Sequence, residues 1–384
     1  MENPVKVFWY CEKWQPGGIQ RVQVNLLPYF GSKEIRMDLA FSEDGTPLFD
    51  GKIAAAGARK LPTLNKRYGS PGRRTLANFF ALRRLLRDGR YGVAHFNACH
   101  GVELMYLFWA WFYRVPVRIV HARNNGIGAG GKSRAVKVLA HRVCKLLFGW
   151  MATARLANSD GSAQWLFSPS DNRKGRVRVL KNGIDAEGFA FSQDERIRAR
   201  KALGVTDGTL LIGHVGHYSY QKNHEFLLKV FAQTVLREPK ARLLLVGEGE
   251  GEAAVWEQAR ALGVSDRVIF YGAAENVSPL MCAMDAFVFP SRFEGCGNAL
   301  LEAQASGLPC FASRGVIPEA VAVTPLVRWL SLSESPAAWA ERLLSRTEAA
   351  PRQSHEKEIT EAGYRLEAMA ETLREIYLGE GNDG

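Results

Sequence analysis

The stretch AFVFPSRFEGCGNALLEAQASGLP, residues 286–309, decides the fold. Ala286 to Phe289 is an unbroken apolar run of strand length, as in a strand buried on both faces of a parallel sheet. It ends at Pro290, a loop carries Glu294, and a helix begins near Asn298 and runs to about Ser306. A buried strand, a loop and a helix in succession make the repeating unit of an α/β protein. Gly295 and Gly297 let the backbone approach a ligand closely, and the unpaired N–H groups of the helix start form an anion site fit for a diphosphate without a metal. Glu302 lies about one turn inside the helix, where a carboxylate accepts hydrogen bonds from a ribose diol. Each such bond contributes roughly 1.5–3 kcal/mol. Glu294 lies on the loop before the phosphate site, on the far side of a diphosphate from the ribose.

The same alternation extends in both directions. Upstream, strands are expected at 5–10, 37–41, 93–96, 118–121, 154–158 and 176–180, with helices near 19–30, 75–87, 102–113 and 133–149. A second series follows Phe189, with strands at 210–215, 242–246, 268–271, 286–289 and 309–312 and helices near 224–235, 252–262 and 298–306. These are two successive Rossmann-like units with parallel sheets. The expected division is 1–186 for the first domain and 187–358 for the second. Residues 359–384 supply a C-terminal helix that crosses back to the first domain, then a disordered tail. Two such domains face each other across a cleft, the natural place for an active site.

Composition narrows the function. The 384 residues are 47% hydrophobic and 23% charged, a globular profile with length for two cores. The longest apolar run, Leu104 to Tyr113, is about half of a membrane span. The N-terminus has no signal-peptide pattern, and the six cysteines lie far apart without a Cys-x-x-Cys pair, which fits a reducing cytoplasm. Net charge is +11, but residues 1–186 carry 30 Lys and Arg against 12 Asp and Glu, whereas the remainder carries 20 against 27. A basic half and a mildly acidic half face different partners. Nucleic acid, an anionic membrane face and a phosphorylated acceptor all suit the basic half.

Two glycine motifs mislead. Residues 126–133, GIGAGGKS, match the Walker A spacing, and a P-loop NTPase would use Lys132 and Ser133. A P-loop leaves its strand directly, but here His121 to Asn125 intervene, and no apolar strand ending in a magnesium-binding Asp follows. Residues 247–252, GEGEGE, follow a strand, but the third glycine is one place early for a dinucleotide fingerprint and three carboxylates there would repel a pyrophosphate. No Asp-x-Asp occurs and the histidines lack ligand spacing, so no residue is assigned to a metal.

Glu294 and Glu302, eight positions apart, resemble the E-x7-E motif of the retaining GT-B glycosyltransferases of family 4, the type that builds bacterial surface polysaccharides and glycolipids. Further segments are similar in order along nearly the whole chain: Gly17-Gly18-Ile-Gln-Arg21 after the first strand, Asn182-Gly183-Ile-Asp185 before the linker, and Gly216 to Asn223, like the family's G-R-x4-K segment. The resemblance makes residues 1–186 an acceptor domain and 187–358 a nucleotide-sugar donor domain. It implies a donor site of Gly17, Gly18, Gly216, His217, Lys222, Glu294, Gly295, Cys296, Gly297, Asn298 and Glu302. Lys222 would neutralise the departing phosphates. His121, at the end of the fourth strand, would contact the transferred sugar, so His121, Glu294 and Lys222 form the catalytic set. His95, Asn97 and His100 are secondary candidates facing the acceptor. One departure stands out: His217 replaces the family's arginine, with fewer donors and a charge that titrates near neutrality.

The implied reaction moves a hexose-type sugar from a nucleotide diphosphate, UDP-linked or GDP-linked, to a lipid-linked or saccharide acceptor. It proceeds with retention and needs neither cofactor nor metal. The segment around Arg134, Lys137, Arg142 and Lys145 interleaves with Val138, Leu139, Val143, Leu146, Phe148 and Trp150. It reads equally as a core-packed helix with a solvated face or as a helix lying on anionic lipid at the cytoplasmic face of the membrane. With no nucleic-acid-reading motif, no nucleic-acid partner is expected. A P-loop NTPase and a sugar-nucleotide epimerase of the same fold are the rival readings.

Overall fold

The computed structural model describes residues 4–30, 34–64, 70–128, 131–345 and 352–380. The chain forms two compact units, Met1–Gly183 with Leu366–Gly384, and Ile184–Arg365. The expected Gly379–Gly384 tail lies outside the described residues from 381 onward.

In the first unit seven parallel strands, β1 (Val5–Trp14), β2 (Ile35–Asp44), β3 (Arg59–Pro62), β4 (Val93–Ala98), β5 (Val117–Ala122), β6 (Ala154–Ala157) and β7 (Val177–Val179), are ordered β3-β2-β1-β4-β5-β6-β7. In the second, β8 (Leu211–Val215), β9 (Arg242–Val246), β10 (Val268–Gly272), β11 (Ala286–Phe289), β12 (Cys310–Ser313) and β13 (Val327–Leu330) are ordered β10-β9-β8-β11-β12-β13. Each order grows outward from a pair of non-consecutive strands, β1 with β4 and β8 with β11. That reversal opens a crevice at the carboxyl ends of the two central strands, where open α/β sheets place ligands.

The strands form where both faces can be buried. On β1, Val7, Trp9 and Cys11 enter one apolar cluster while Phe8 and Tyr10 enter the other, so near-continuous hydrophobicity is what this position demands. Two strands, β3 and β13, were not expected. Both are sheet edges, and Arg-Lys-Leu-Pro and Val-Arg-Trp-Leu keep charge or partial exposure, as edges do to avoid pairing with other chains.

The C-terminal stretch also differs from its reading as one helix. It is two, Glu356–Glu361 and Leu366–Leu378, separated by Gly363 at φ 86°, a left-handed conformation that ends a helix at little cost to glycine. The break coincides with the junction of the two units. Leu366, Met369, Ala370, Leu373 and Tyr377, spaced along one helical face, pack into the cluster of Val7 and Trp9. Residues 102–113 likewise divide into a 3-10 segment, Gly101–Tyr106, and a helix, Leu107–Phe112. No helix among the described residues is long and apolar enough to cross a membrane.

Leu373, fully buried, tests the attachment of the last helix. Leu373→Ala is expected to lower the stability of the first unit by about 3 kcal/mol, read by chemical denaturation, because the lost side chain leaves a cavity. An unchanged midpoint would mean that the helix is not part of that core.

Candidate functional site

In the second unit the loops after β8 and β11 meet although they lie far apart in sequence. The pairing of Ala286 with Ile212 and Phe287 with Gly213 sets both strand ends side by side. Lys222 Nζ donates to Glu294 Oε1 at 2.7 Å and lies 4.4 Å from the centre of the Phe289 ring. The two side chains are 16% and 7% exposed, so the ion pair is largely sheltered from water. Gly216 makes room for it: a Cβ there would sit 3.0 Å from Lys222 Cγ and Cδ. Asn223 holds the turn in the left-handed region at φ 58° and donates from its side chain to the Pro290 carbonyl, tying the two loops together. Arg292 donates from its backbone to the Gln221 carbonyl and from its guanidinium to the Tyr220 carbonyl.

The helix Asn298–Ala305 follows directly. Its preceding residue, Gly297, is at φ 88°, where a side chain would be strained. Cys296 and Glu302 are buried, and Asn298 is the first helical residue, where backbone N–H groups have no acceptor within the helix. The Gly247–Glu252 segment acquires a structural reason. A Cβ on Gly247 would lie 2.2 Å from the Gly216 carbonyl oxygen, and one on Gly249 would lie 2.9 Å from His217 Nε2, so these glycines let the third strand-end loop close against residues 216–218. Below them His214 donates from Nδ1 to the Val288 carbonyl and is held neutral, its pKa pushed down to about 3 by burial despite that bond.

In the first unit, β5 ends in His121, fully buried, with Nδ1 3.2 Å from His95 Nε2 on β4. Burial first, then the nearby Arg123 charge, holds both imidazoles well below their ordinary pKa. Arg123 donates to Asn97 at 2.6 Å and to Asn182 at 2.7 Å, so the Asn182-Gly183-Ile-Asp185 turn is fastened to the sheet by its asparagine. Asp185 accepts from the Gly188 N–H and caps the next turn. Gly17 precedes the helix Gly18–Leu26 in extended backbone open to any residue. At the end of β1, Glu12 accepts from Tyr10 at 2.7 Å and Tyr106 at 3.2 Å and pairs with Arg74 at 3.4 Å. The side chains of Lys132 and Ser133 lie outside the described residues.

With the geometry in hand, known proteins give the context. Residues 16–187 match the family described as Glycosyltransferase Family 4, and residues 209–348 that described as Glycosyl transferases group 1. The putative glycosyltransferase EpsF of Bacillus subtilis is 30% identical over 368 residues, 94% of this chain and 93% of that protein. The chain belongs to glycosyltransferase family 4. Among family relatives, the Escherichia coli UDP-Gal:alpha-D-GlcNAc-diphosphoundecaprenol alpha-1,3-galactosyltransferase is 23% identical over 77% of this chain and 76% of its own. The GT-B fold is shared with Anabaena HepE in complex with UDP, at TM-score 0.72 and 18% identity over 98% of this chain and all (100%) of that one. It is shared also with WaaG, a glycosyltransferase of lipopolysaccharide biosynthesis, at TM-score 0.73 and 16% identity over 98% and 100% of the two chains.

In this family-4 glycosyltransferase, Gly216, His217, Lys222, Glu294, Gly295, Cys296, Gly297, Asn298 and Glu302 belong to the second unit, where two adjoining loops and one helix start hold them. Gly17, Gly18 and His121 belong to the first unit, on β1 and β5 ends separated by β4. Sequence reading missed the supporting groups: His214, Asn223 and Arg292 around Lys222, and Glu12 with Tyr106 at the first sheet's reversal. Each is an ordinary polar residue without motif spacing. Only the strand order singles them out.

Removing one member of the sheltered ion pair strands the other. Lys222→Met is expected to destabilise the second unit by about 3 kcal/mol, and adding Glu294→Gln should restore most of that in thermal unfolding. Equal and additive losses in the single and double variants would show that the pair is not coupled.

Proposed function

We propose that this glycosyltransferase moves a hexose-type sugar from a nucleotide diphosphate, UDP favoured and GDP as the variant, to a lipid-linked or saccharide acceptor with retention at the anomeric carbon. The observation that carries this reading is the Lys222–Glu294 pair, 2.7 Å apart at the carboxyl ends of β8 and β11 and followed by the start of the helix Asn298–Ala305. The diphosphate docks on those amides, and Lys222 offsets the charge that develops as it leaves. Glu302 receives the ribose hydroxyls. Glu294 already accepts from Lys222 through Oε1, so its role is to orient the sugar through the remaining carboxylate oxygen, not to attack it. The acceptor hydroxyl forms its bond to the anomeric carbon on the face from which the diphosphate departs, and the departing oxygen takes the hydroxyl proton. His121 contacts the transferred sugar. No divalent cation is required, because amides and an ammonium supply the positive field. HepE's complex with UDP and the diphosphoundecaprenol acceptor named for the Escherichia coli relative support the donor and acceptor classes.

Thermal-shift screening of sugar nucleotides should find one that stabilises the protein. Glu302→Ala and Lys222→Ala should abolish that shift, and Glu294→Gln should lower turnover. Transfer should persist in a chelator. Turnover unaltered in Glu294→Gln, or lost on chelation, would refute the assigned roles.

The acceptor side points to a membrane. On the helix Gly131–Phe148, Val136, Leu139, Val143, Leu146 and Leu147 are exposed, with Leu146 81% open to solvent, so the apolar residues do not serve as core. Aromatic contacts continue the patch from Trp150 through Trp111, Phe108 and Phe79 to exposed Phe80. Arg73 and Arg84 on the helix Pro71–Gly89, and Arg134, Lys137 and Arg142 on the helix Gly131–Phe148, are exposed. An apolar belt among cations suits the headgroup boundary of an anionic bilayer, where each basic residue contributes about 1 kcal/mol. The protein works at the cytoplasmic face of the membrane through this surface. Arg134→Ala with Arg142→Ala should weaken binding to phosphatidylserine vesicles about 30-fold and leave binding to neutral vesicles unchanged. Equal binding by the two proteins would refute the surface.

A further inference from the structure

The strand-end histidine does not stand alone. Tyr377 Oη, from the last helix, is 2.7 Å from His95 Nδ1, and His95 Nε2 is 3.2 Å from His121 Nδ1. All three side chains are within 2% of full burial. Trp9 stacks on His95 at 5.1 Å, and the two imidazoles are nearly parallel, 11° apart, so packing fixes the plane of the His95 ring. His121 Nε2 is buried and has no hydrogen-bond partner among the described residues.

The direction of these hydrogen bonds follows from counting protons. Burial keeps the Tyr377 hydroxyl protonated, and burial with the Arg123 charge keeps both imidazoles neutral. Each ring therefore has one N–H and one lone pair. Among the described residues the hydroxyl's partner is His95 Nδ1. If it accepted there, its own proton would be buried without an acceptor, a desolvation loss that donation avoids. Tyr377 therefore donates, His95 Nδ1 accepts, and the His95 proton sits on Nε2. His95 then donates to His121 Nδ1, which leaves the His121 proton on Nε2.

We propose that Tyr377 and His95 are positioning residues that fix His121 as a hydrogen-bond donor through Nε2, so that it recognises an oxygen lone pair on its ligand. Resting on the reading that His121 contacts the transferred sugar, this makes the ligand group a hydroxyl or ring oxygen acting as acceptor. The C-terminal helix thereby takes part in substrate recognition through a side chain that never touches substrate.

The test is nuclear magnetic resonance of the full chain with 15N-labelled histidine. A trans-hydrogen-bond coupling between His95 Nε2 and His121 Nδ1, with the proton on His95, is expected. A proton found on His121 Nδ1 would overturn the proposal. In Tyr377→Phe the His95 proton should divide between its two ring nitrogens and the coupling weaken. An unchanged spectrum would also overturn it. In transfer assays Tyr377→Phe and His95→Leu should lower kcat about tenfold, the loss of one hydrogen bond, with little change in donor KM. His95→Gln, whose amide can donate to His121 Nδ1, should retain most activity. Thermal unfolding of each variant separates these effects from misfolding. If the couplings are as expected but His121→Ala transfers normally, the relay stands and the sugar contact assigned to His121 falls.

Discussion

Everything in the second unit of this enzyme depends on the parallel pairing of β8 with β11, two strands separated by two others in sequence. Sheet growth in opposite directions from that pair leaves the crevice between their carboxyl ends uncovered by a crossover helix. Lys222 and Glu294 are brought to 2.7 Å there, in a setting dry enough for the charges to matter. A sheltered ion pair is poor cement, because the desolvation of both ions offsets most of its attraction. Its presence at a sheet reversal therefore speaks for a function, since hydrophobic residues of the same size would hold the loops at least as well.

The surrounding glycines follow from the same constraint. Three loops, after β8, β9 and β11, converge on a small volume, and side chains at Gly216, Gly247 or Gly249 would collide with a neighbouring loop or with the stem of Lys222. Gly297 serves differently: its left-handed backbone turns the chain into the helix Asn298–Ala305. The glycine-rich stretch dismissed as a failed dinucleotide motif is thus a packing device for the adjoining loop, and its acidic residues need not meet a phosphate at all.

The first unit is organised around polar residues that a sheet interior ordinarily excludes. His95, Asn97, His121 and Arg123 occupy neighbouring strand ends and hydrogen-bond to one another or to the backbone, with His121 Nε2 left over, which lowers the desolvation loss of burying them. The C-terminal helix completes this arrangement with Tyr377 while burying Leu366, Met369 and Leu373 against the first strand. One element is therefore both a structural clasp and a contributor to the polar network.

The sequence by itself determined the fold class, the central strands and the family motif. Buried parallel strands must be apolar on both faces, and a chain that turns straight from a strand-end loop into a helix through a left-handed residue needs a glycine there; both demands are local and legible in Ala286–Asn298. Edge strands β3 and β13, the break at Gly363 and the outward direction of the apolar face around Leu146 were settled by tertiary structure, because charge at an edge, a backbone turn and solvent exposure depend on what lies alongside. The same holds for His214, Asn223, Glu12 and Tyr377. Their side chains carry no distinguishing pattern, and only the strand order, with the docking of the last helix for Tyr377, places them beside Lys222, Tyr106 and His95.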